Sequence, residues 1–192
     1  MRVDMQIDIS ARWHLGVGLG EAGLTDAITL RSSNGEPIIS GESLKGLLRD
    51  RAELLLAVNS DLRPVLEAVF GTAGAKGRWQ FRSARPGPEW TNPGRDIATH
   101  HRRDPETGVV PVDGLFDMEA NPPVVLDTDV EPVEGHEPGL DEVALLCGAA
   151  LALERLGKRR TRGYGRCKVS VRVDGHDGDV DQLVRNMFGV NQ

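Results

Sequence analysis

Leu140-Asp141-Glu142-Val143-Ala144-Leu145-Leu146-Cys147-Gly148-Ala149-Ala150-Leu151-Ala152-Leu153-Glu154-Arg155-Leu156 is the stretch on which the fold turns. Val143, Leu145, Leu146, Ala149, Ala150, Leu153 and Leu156 recur at helical spacing and predict a helix over 140–156, with Gly157 as its stop. The basic, glycine-containing run Gly157-Lys158-Arg159-Arg160-Thr161-Arg162-Gly163-Tyr164-Gly165-Arg166 follows. Residues 165–173 then alternate apolar and polar, which predicts a closing strand.

Working back toward the N-terminus, Val3, Met5, Ile7 and Ile9 alternate with polar residues and predict a half-buried strand over 2–13. A glycine-rich stretch, residues 16–23, lacks the spacing of a dinucleotide fingerprint. A short strand is expected over 27–33, ending in the turn Asn34-Gly35. Ser40 is placed to cap a helix over 42–58 carrying Leu44, Leu47, Leu48, Leu55 and Leu56 on one stripe. Leu62–Phe70 continues as a second helical piece, and residues 78–84 alternate as a strand. Residues 86–113, rich in Pro, Gly and Arg, suit a protruding loop or hairpin, and 115–130 reads as extended chain broken by Pro122-Pro123. The order β, α, β, β, α, β with insertions is the split βαβ pattern, an α+β ferredoxin-like fold formed as one domain over 1–192. That fold serves RNA-recognition modules and small enzymes alike, so it names no function.

The 192 residues, 39% hydrophobic and 27% charged, suffice for one core and exclude a disordered chain. No apolar run reaches the ~20 residues that span a bilayer, and Met1-Arg2-Val3-Asp4 does not open like a signal peptide. Cys147 and Cys167 make no disulfide scaffold or metal spacing, so a reducing, cytoplasmic setting is expected. The net charge of −6 is segregated: Arg155 to Arg172 holds eight basic residues and no acid, whereas Asp113 to Glu142 holds ten acids and no Lys or Arg. Screening over ~8 Å lets a basic groove bind a polyanion in spite of distant acids.

Two constellations point to nucleic acid. In Ser40-Gly41-Glu42-Ser43-Leu44-Lys45-Gly46-Leu47-Leu48-Arg49, a helix start can attract phosphate, and Lys45 and Arg49 share a face. Gly46, costly within a helix by ~1 kcal/mol, predicts a close neighbour in the place of its side chain. Taken alone, this stretch also fits an ordinary capped helix with a solvated edge. In the 157–166 loop, Arg159, Arg160, Arg162 and Arg166 can pair with phosphates, and Tyr164, the chain's one tyrosine, can stack on a base.

Ser43-Leu44-Lys45-Gly46 with Arg49, then Val69-Phe70-Gly71, then Thr161-Arg162-Gly163-Tyr164-Gly165-Arg166 resemble, in order and spacing, the RAMP superfamily, in particular backbone subunits of type III CRISPR effector complexes. The resemblance implies a modified RNA-recognition fold that binds CRISPR guide RNA and stacks with sibling subunits and further copies of itself. It implies a thumb-like hairpin at about 86–112, with Arg102 and Arg103 on RNA, and guide contacts from Ser43, Lys45, Arg49 and the basic loop. It also implies that Asp26 cleaves target RNA with a divalent metal ion such as Mg2+, as catalyst and metal ligand. Departures are Glu42 at the helix start and Gly157 where the family has a glycine pair.

Other readings stay open: a non-catalytic structural subunit, a metal-independent guide-processing endoribonuclease using His14, His100 or His101, or a ferredoxin-like metabolic domain. The nucleic-acid reading expects the helix start and the glycine–arginine loop to converge around one ribose-phosphate strand.

Overall fold

The computed structural model describes residues 1–16, 28–57, 59–94, 96–101, 104, 106–111, 114–175 and 178–188. The elements in chain order are β1 (Val3–Ile9), α1 (Gly41–Leu55), α2 (Arg63–Phe70), β2 (Trp79–Phe81), β3 (Arg85–Pro86), β4 (Asp96–His101), β5 (Leu115–Ala120), β6 (Val124–Pro132), α3 (Leu140–Leu151), β7 (Cys167–Val173) and α4 (Val180–Phe188). The main sheet runs β2-β6-β1-β7, with β3 extending the β2 edge on β6. All its pairings are antiparallel, and β1 sits in full register between Val124–Val130 and Cys167–Val173. With β1, α1, β2, β6, α3 and β7 in the six places of the split βαβ motif, this is the ferredoxin-like fold.

Alternation along β1 explains the layering. Val3, Met5, Ile7 and Ile9 are buried, and with Leu126, Val130, Val169 and Val173 they floor the core under the helices. Each such side chain stabilises the fold by ~1.5–3 kcal/mol. Helix α3 lies in the middle: every residue from Glu142 to Ala150 is buried, and it packs on α1, α2, α4, β1 and β7. Gly148 makes that crowding possible, because a Cβ there would meet Phe188 at 3.3 Å and Leu55 and Val184 at 3.4 Å. Glu142 is tolerated in the core because its carboxylate accepts from Trp79 Nε1 at 2.6 Å and bonds His136 Nε2 at 2.8 Å.

Three expectations need correction. Helix α3 ends at Leu151, short of the predicted 156, because the chain turns extended to pair with the strand ahead of it. Leu156 N donates to Gly165 O and Cys167 N to Glu154 O, while Leu153 and Leu156 stay buried without helical geometry. Only a glycine fits at 165, where φ is +67° and a Cβ would stand 1.9 Å from Leu156 O. Second, the strand expected over 27–33 is reduced, among its described residues, to isolated bridges from Thr29 to Gly16 and from Arg31 to Pro37 around the Asn34-Gly35 turn. Third, α4 follows the strand that was expected to close the domain, and lays Val180, Leu183, Val184, Met187 and Phe188 against the core. Smaller differences are α1 ending at Leu55 and β2 spanning only Trp79–Phe81.

A hairpin does project from the body, but its second strand lies beyond the expected insertion: β4 pairs with β5, from Asp96↔Ala120 to His101↔Leu115. Its base is locked to the body by a buried polar cluster. Glu119 accepts from Thr29 N at 2.9 Å and from Arg31 Nε at 3.0 Å, and Arg31 Nη2 closes on the same carboxylate. Asn121 accepts from Arg31 at 3.2 Å and donates to Thr29 Oγ1 at 2.9 Å.

Candidate nucleic-acid interface

RNA-recognition folds commonly present aromatic residues on the open sheet face, where bases stack. Here Asp4, Gln6, Asp8, Asp127, Asp129, Lys168, Ser170 and Arg172 point outward from the adjoining strands β6, β1 and β7. All but Asp8 and Lys168 border an open depression of about 950 Å³ in which Asp4 pairs with Arg2 at 2.9 Å and with Arg172 at 3.3 Å, and Asp129 with Arg82 at 3.1 Å. A phosphate strand laid here would meet these acids, with Arg85 the one lining arginine that forms none of the described ion pairs. Much of the acidic run is thereby explained, since Asp127, Asp129 and Glu131 line this face while Glu119 and Glu142 are buried in structural bonds.

The glycine–arginine loop behaves oppositely. Arg2, Arg12, Arg31, Arg49, Arg51, Arg82 and Arg172 all form ion pairs. None of the described ion pairs involves Arg155, Lys158, Arg159, Arg160, Arg162, Arg166 or Lys168. All but the partly covered Arg159 are exposed. The loop is held by backbone bonds: Lys158 N donates to His14 O at 2.9 Å, Gly165 N to Arg12 O at 2.8 Å, and Ser10 N to Arg166 O at 2.9 Å. Arg159 adopts φ +60°, the one positive φ at a non-glycine among the described residues, which costs ~1–2 kcal/mol. That conformation sets its guanidinium 5.0 Å from the centre of the Phe116 ring on the hairpin. Tyr164 meets His100 edge-on at 6.0 Å, and His100 lies 5.7 Å from Phe116. Burial, then the charges of Arg159 and Arg162, lower the pKa of His100. Loop and hairpin therefore form one cationic, aromatic ridge. Tyr164 is engaged with His100, and a base can stack only on what its ring leaves uncovered.

The helix start has other neighbours. Ser40 Oγ accepts from Ser43 N at 3.2 Å and donates to Ser43 Oγ at 3.0 Å, and the Phe81 carbonyl lies where a Cβ on Gly41 would fall. The protein's own groups thus crowd a terminus that was expected to be open to phosphate. Arg49 pairs with Glu53 at 2.9 Å, while Lys45 rests over the Phe81 ring at 5.8 Å. Gly46 faces open space, with nothing within 4 Å of the point a Cβ would occupy, so the neighbour predicted there is not found among the described residues.

Phe81 is level with Val3 across the sheet, whereas the glycine–arginine loop docks beyond Ile9. The ends of β1 lie ~20 Å apart at 3.3 Å per residue. The two constellations are therefore not in contact, and a strand touching both must run the length of the sheet. What the loop does converge with is the hairpin, a pairing that sequence spacing did not reveal.

Asp26, Arg102 and Arg103 lie outside the described residues. Among the described residues, no group of three His, Cys, Asp or Glu side chains is placed to hold a metal ion. Burial pushes Cys147 up to about 12 and Cys167 up to about 11, so both thiols stay protonated and inert. His14 is fully buried, with Nδ1 at 2.7 Å from the Glu119 carbonyl, to which it must donate. Burial lowers its pKa, and Nε2 has no hydrogen-bond partner among the described residues. A neutral imidazole sealed in the core cannot serve a substrate as acid or base. His101 is exposed on β4.

The chain thus combines a ferredoxin-like fold with a hairpin joined to a cationic loop. The RAMP superfamily matches residues 8–168, and the chain belongs to it. No curated protein matches the sequence. Among solved structures, a chain of a Type IV-B CRISPR Complex aligns with a TM-score of 0.67 at 18% identity, over 93% of both chains. A chain of the Type III-B Cmr-beta complex bound to cognate target RNA aligns at 0.64 and 18% identity, over 89% of this chain and 59% of that one. A chain from the apo state of Type III-B Cmr-beta aligns at 0.65 and 15% identity, over 91% and 98%. No helix among the described residues is long and apolar enough to cross a membrane.

Proposed function

We propose that this chain is a guide-RNA-binding backbone subunit of a CRISPR effector complex. It would stack with sibling RAMP subunits and further copies of itself along the guide, with target RNA lying across the hairpin. One observation carries the proposal: in a chain of net charge −6, none of the ion pairs among the described residues involves a cation of the glycine–arginine loop, whereas Arg2, Arg12 and Arg82 are paired. An unpaired cationic ridge is what a polyanion requires. Membership of the RAMP superfamily and the likeness to chains of CRISPR complexes support it.

The test is RNA binding across a salt series. Changing Arg160, Arg162 and Arg166 together to Ala should abolish most binding and flatten the log–log salt dependence by ~2, at ~0.7 per lost phosphate contact. Unchanged affinity in a folded triple variant would refute the proposal. Cleavage of target RNA through Asp26 with a divalent ion such as Mg2+ belongs to the same proposal. Asp26→Ala should remove chelator-sensitive cutting and leave guide affinity intact, and cutting that survives the substitution would make Asp26 a turn residue.

A further inference from the structure

We propose that the pocket walled by Trp90 and two prolines at the β3 edge of the main sheet is a docking site for an arginine side chain of a partner polypeptide, its guanidinium stacked on the indole and hydrogen-bonded to Asp127. This goes beyond the nucleic-acid reading above and does not depend on it.

The open-sided pocket has a volume of about 350 Å³. Trp90, Pro86, Pro123 and Val125 wall it, Glu89 and Asp127 stand in its lining, and that lining includes no Lys, Arg or His. Trp90 differs from the other two tryptophans of the chain. Trp13 and Trp79 are 0% and 3% exposed, and their indole N–H groups donate to Pro122 O at 3.0 Å and to the Glu142 carboxylate at 2.6 Å. Trp90 is only partly covered, and no described hydrogen bond uses its indole N–H. Tryptophans left in that state are enriched among the residues that anchor interfaces.

Charge selects the occupant. Neither Glu89 nor Asp127 forms an ion pair among the described residues, whereas Asp4, Asp129 and Glu131 on the adjoining sheet face do. Asp127 Oδ1 accepts only a neutral donor, Gln6 Nε2 at 3.0 Å, and Oδ2 stands 3.8 Å from the point a Cβ on Gly87 would occupy. That contact sets the carboxylate against the turn that carries Trp90. The turn is held in shape: Arg85 and Pro86 pair with Asp127 and Leu126, and Trp90 N donates to Gly87 O at 3.1 Å. Prolines at 86 and 123 restrict the backbone further, so little ordering is needed on binding. Arg85 lines the neighbouring depression and not this pocket. An aromatic wall beside two carboxylates attracts a cation and repels the phosphate that a nucleotide would bring. Arginine suits it better than lysine, because a planar guanidinium lies flat on an indole and presents a fork of N–H groups to one carboxylate.

The test is an NMR titration of the purified full chain, isotope-labelled at its three indoles, with the capped peptide Gly-Arg-Gly and its lysine and citrulline analogues. The arginine peptide should move the Trp90 indole signal saturably, in the millimolar range usual for so small a ligand, and leave those of the buried Trp13 and Trp79 in place. The lysine peptide should bind more weakly, and the citrulline peptide, which keeps the shape without the charge, should not saturate. Asp127→Asn should weaken the arginine peptide roughly tenfold, because a charge-assisted bond is lost. Trp90→Leu should abolish binding as read on the peptide's own signals. Changing Arg160, Arg162 and Arg166 to Ala should leave the titration as in the parent, so failure of RNA binding and failure of this pocket are told apart. No saturable shift with the arginine peptide, equal binding of the citrulline peptide, or unchanged affinity in a folded Asp127→Asn variant would each overturn the proposal. A shift produced by guanosine monophosphate and not by the arginine peptide would also overturn it, making the pocket a nucleobase site.

Discussion

Removing the Glu119 carboxylate should cost more stability than any surface substitution in this chain. Glu119 is 2% exposed and Arg31 16%, so this ion pair is shielded from water on both sides. Breaking a buried pair by removing one partner costs ~3–5 kcal/mol, because the other charge is left without compensation. Arg31 keeps the Gly35 carbonyl at 2.7 Å and Asn121 Oδ1 at 3.2 Å, which offsets part of the loss. Thr29 N, 2.9 Å from the carboxylate, loses its acceptor, which adds to it. A net cost of ~4 kcal/mol for Glu119→Ala follows, equivalent to a fall in melting temperature of ~8–16 °C for a chain of this size. Urea and thermal unfolding followed by circular dichroism measure it. A cycle with Arg31→Ala should show the double variant less damaged than the sum of the singles by ~2 kcal/mol, since removing both charges leaves none stranded. A loss under ~1 kcal/mol for Glu119→Ala, or strict additivity in the cycle, would refute the argument that this pair clamps the hairpin base.

Stability should fall on mild acidification because of His14. Its pKa is held below the ordinary 6.5 by burial, so its contribution is complete above that value and is lost as pH drops toward the lowered folded value. Unfolding midpoints between about pH 7 and 5.5 should decline in the parent and decline less in His14→Gln; parallel curves would contradict this. His100 is shifted in the same direction from a less buried position and adds to the decline. Gly46→Ala should stabilise the isolated chain by ~1 kcal/mol, or ~2–4 °C, because the added methyl points into solvent within a helix. No rise in melting temperature would show that Gly46 has a local role in the folded chain.

Much of the fold could be read from periodicity, because a strand with one wet face writes itself as alternation. Val3 to Ile9 and Cys167 to Val173 are examples. The helical stripe of α1 is equally plain. The end of α3 was hidden because Leu153 and Leu156 keep helical spacing while their backbone pairs with residues 165–167. Helix α4 carries its own stripe, Val180, Leu183, Val184, Met187 and Phe188, but it lies beyond the six elements that complete the split βαβ pattern. The site was less legible. The cationic loop stands out in composition, but its union with His100 and Phe116 depends on a hairpin whose strands, ending at His101 and resuming at Leu115, are far apart in sequence. The Arg31–Glu119 clamp joins residues 88 apart, and nothing local in either marks the other as its partner.

Strand β7 ends the sheet, and among the described residues no strand pairs with its outer side. Such a border invites a twin molecule to zip on. If two copies paired there antiparallel about a twofold axis through Ser170, Lys168 of each would face Arg172 of the other. Facing like charges disfavour that union on both sides of the axis. This border is thereby guarded against self-templating, and any pairing between copies of the chain is steered to other surfaces.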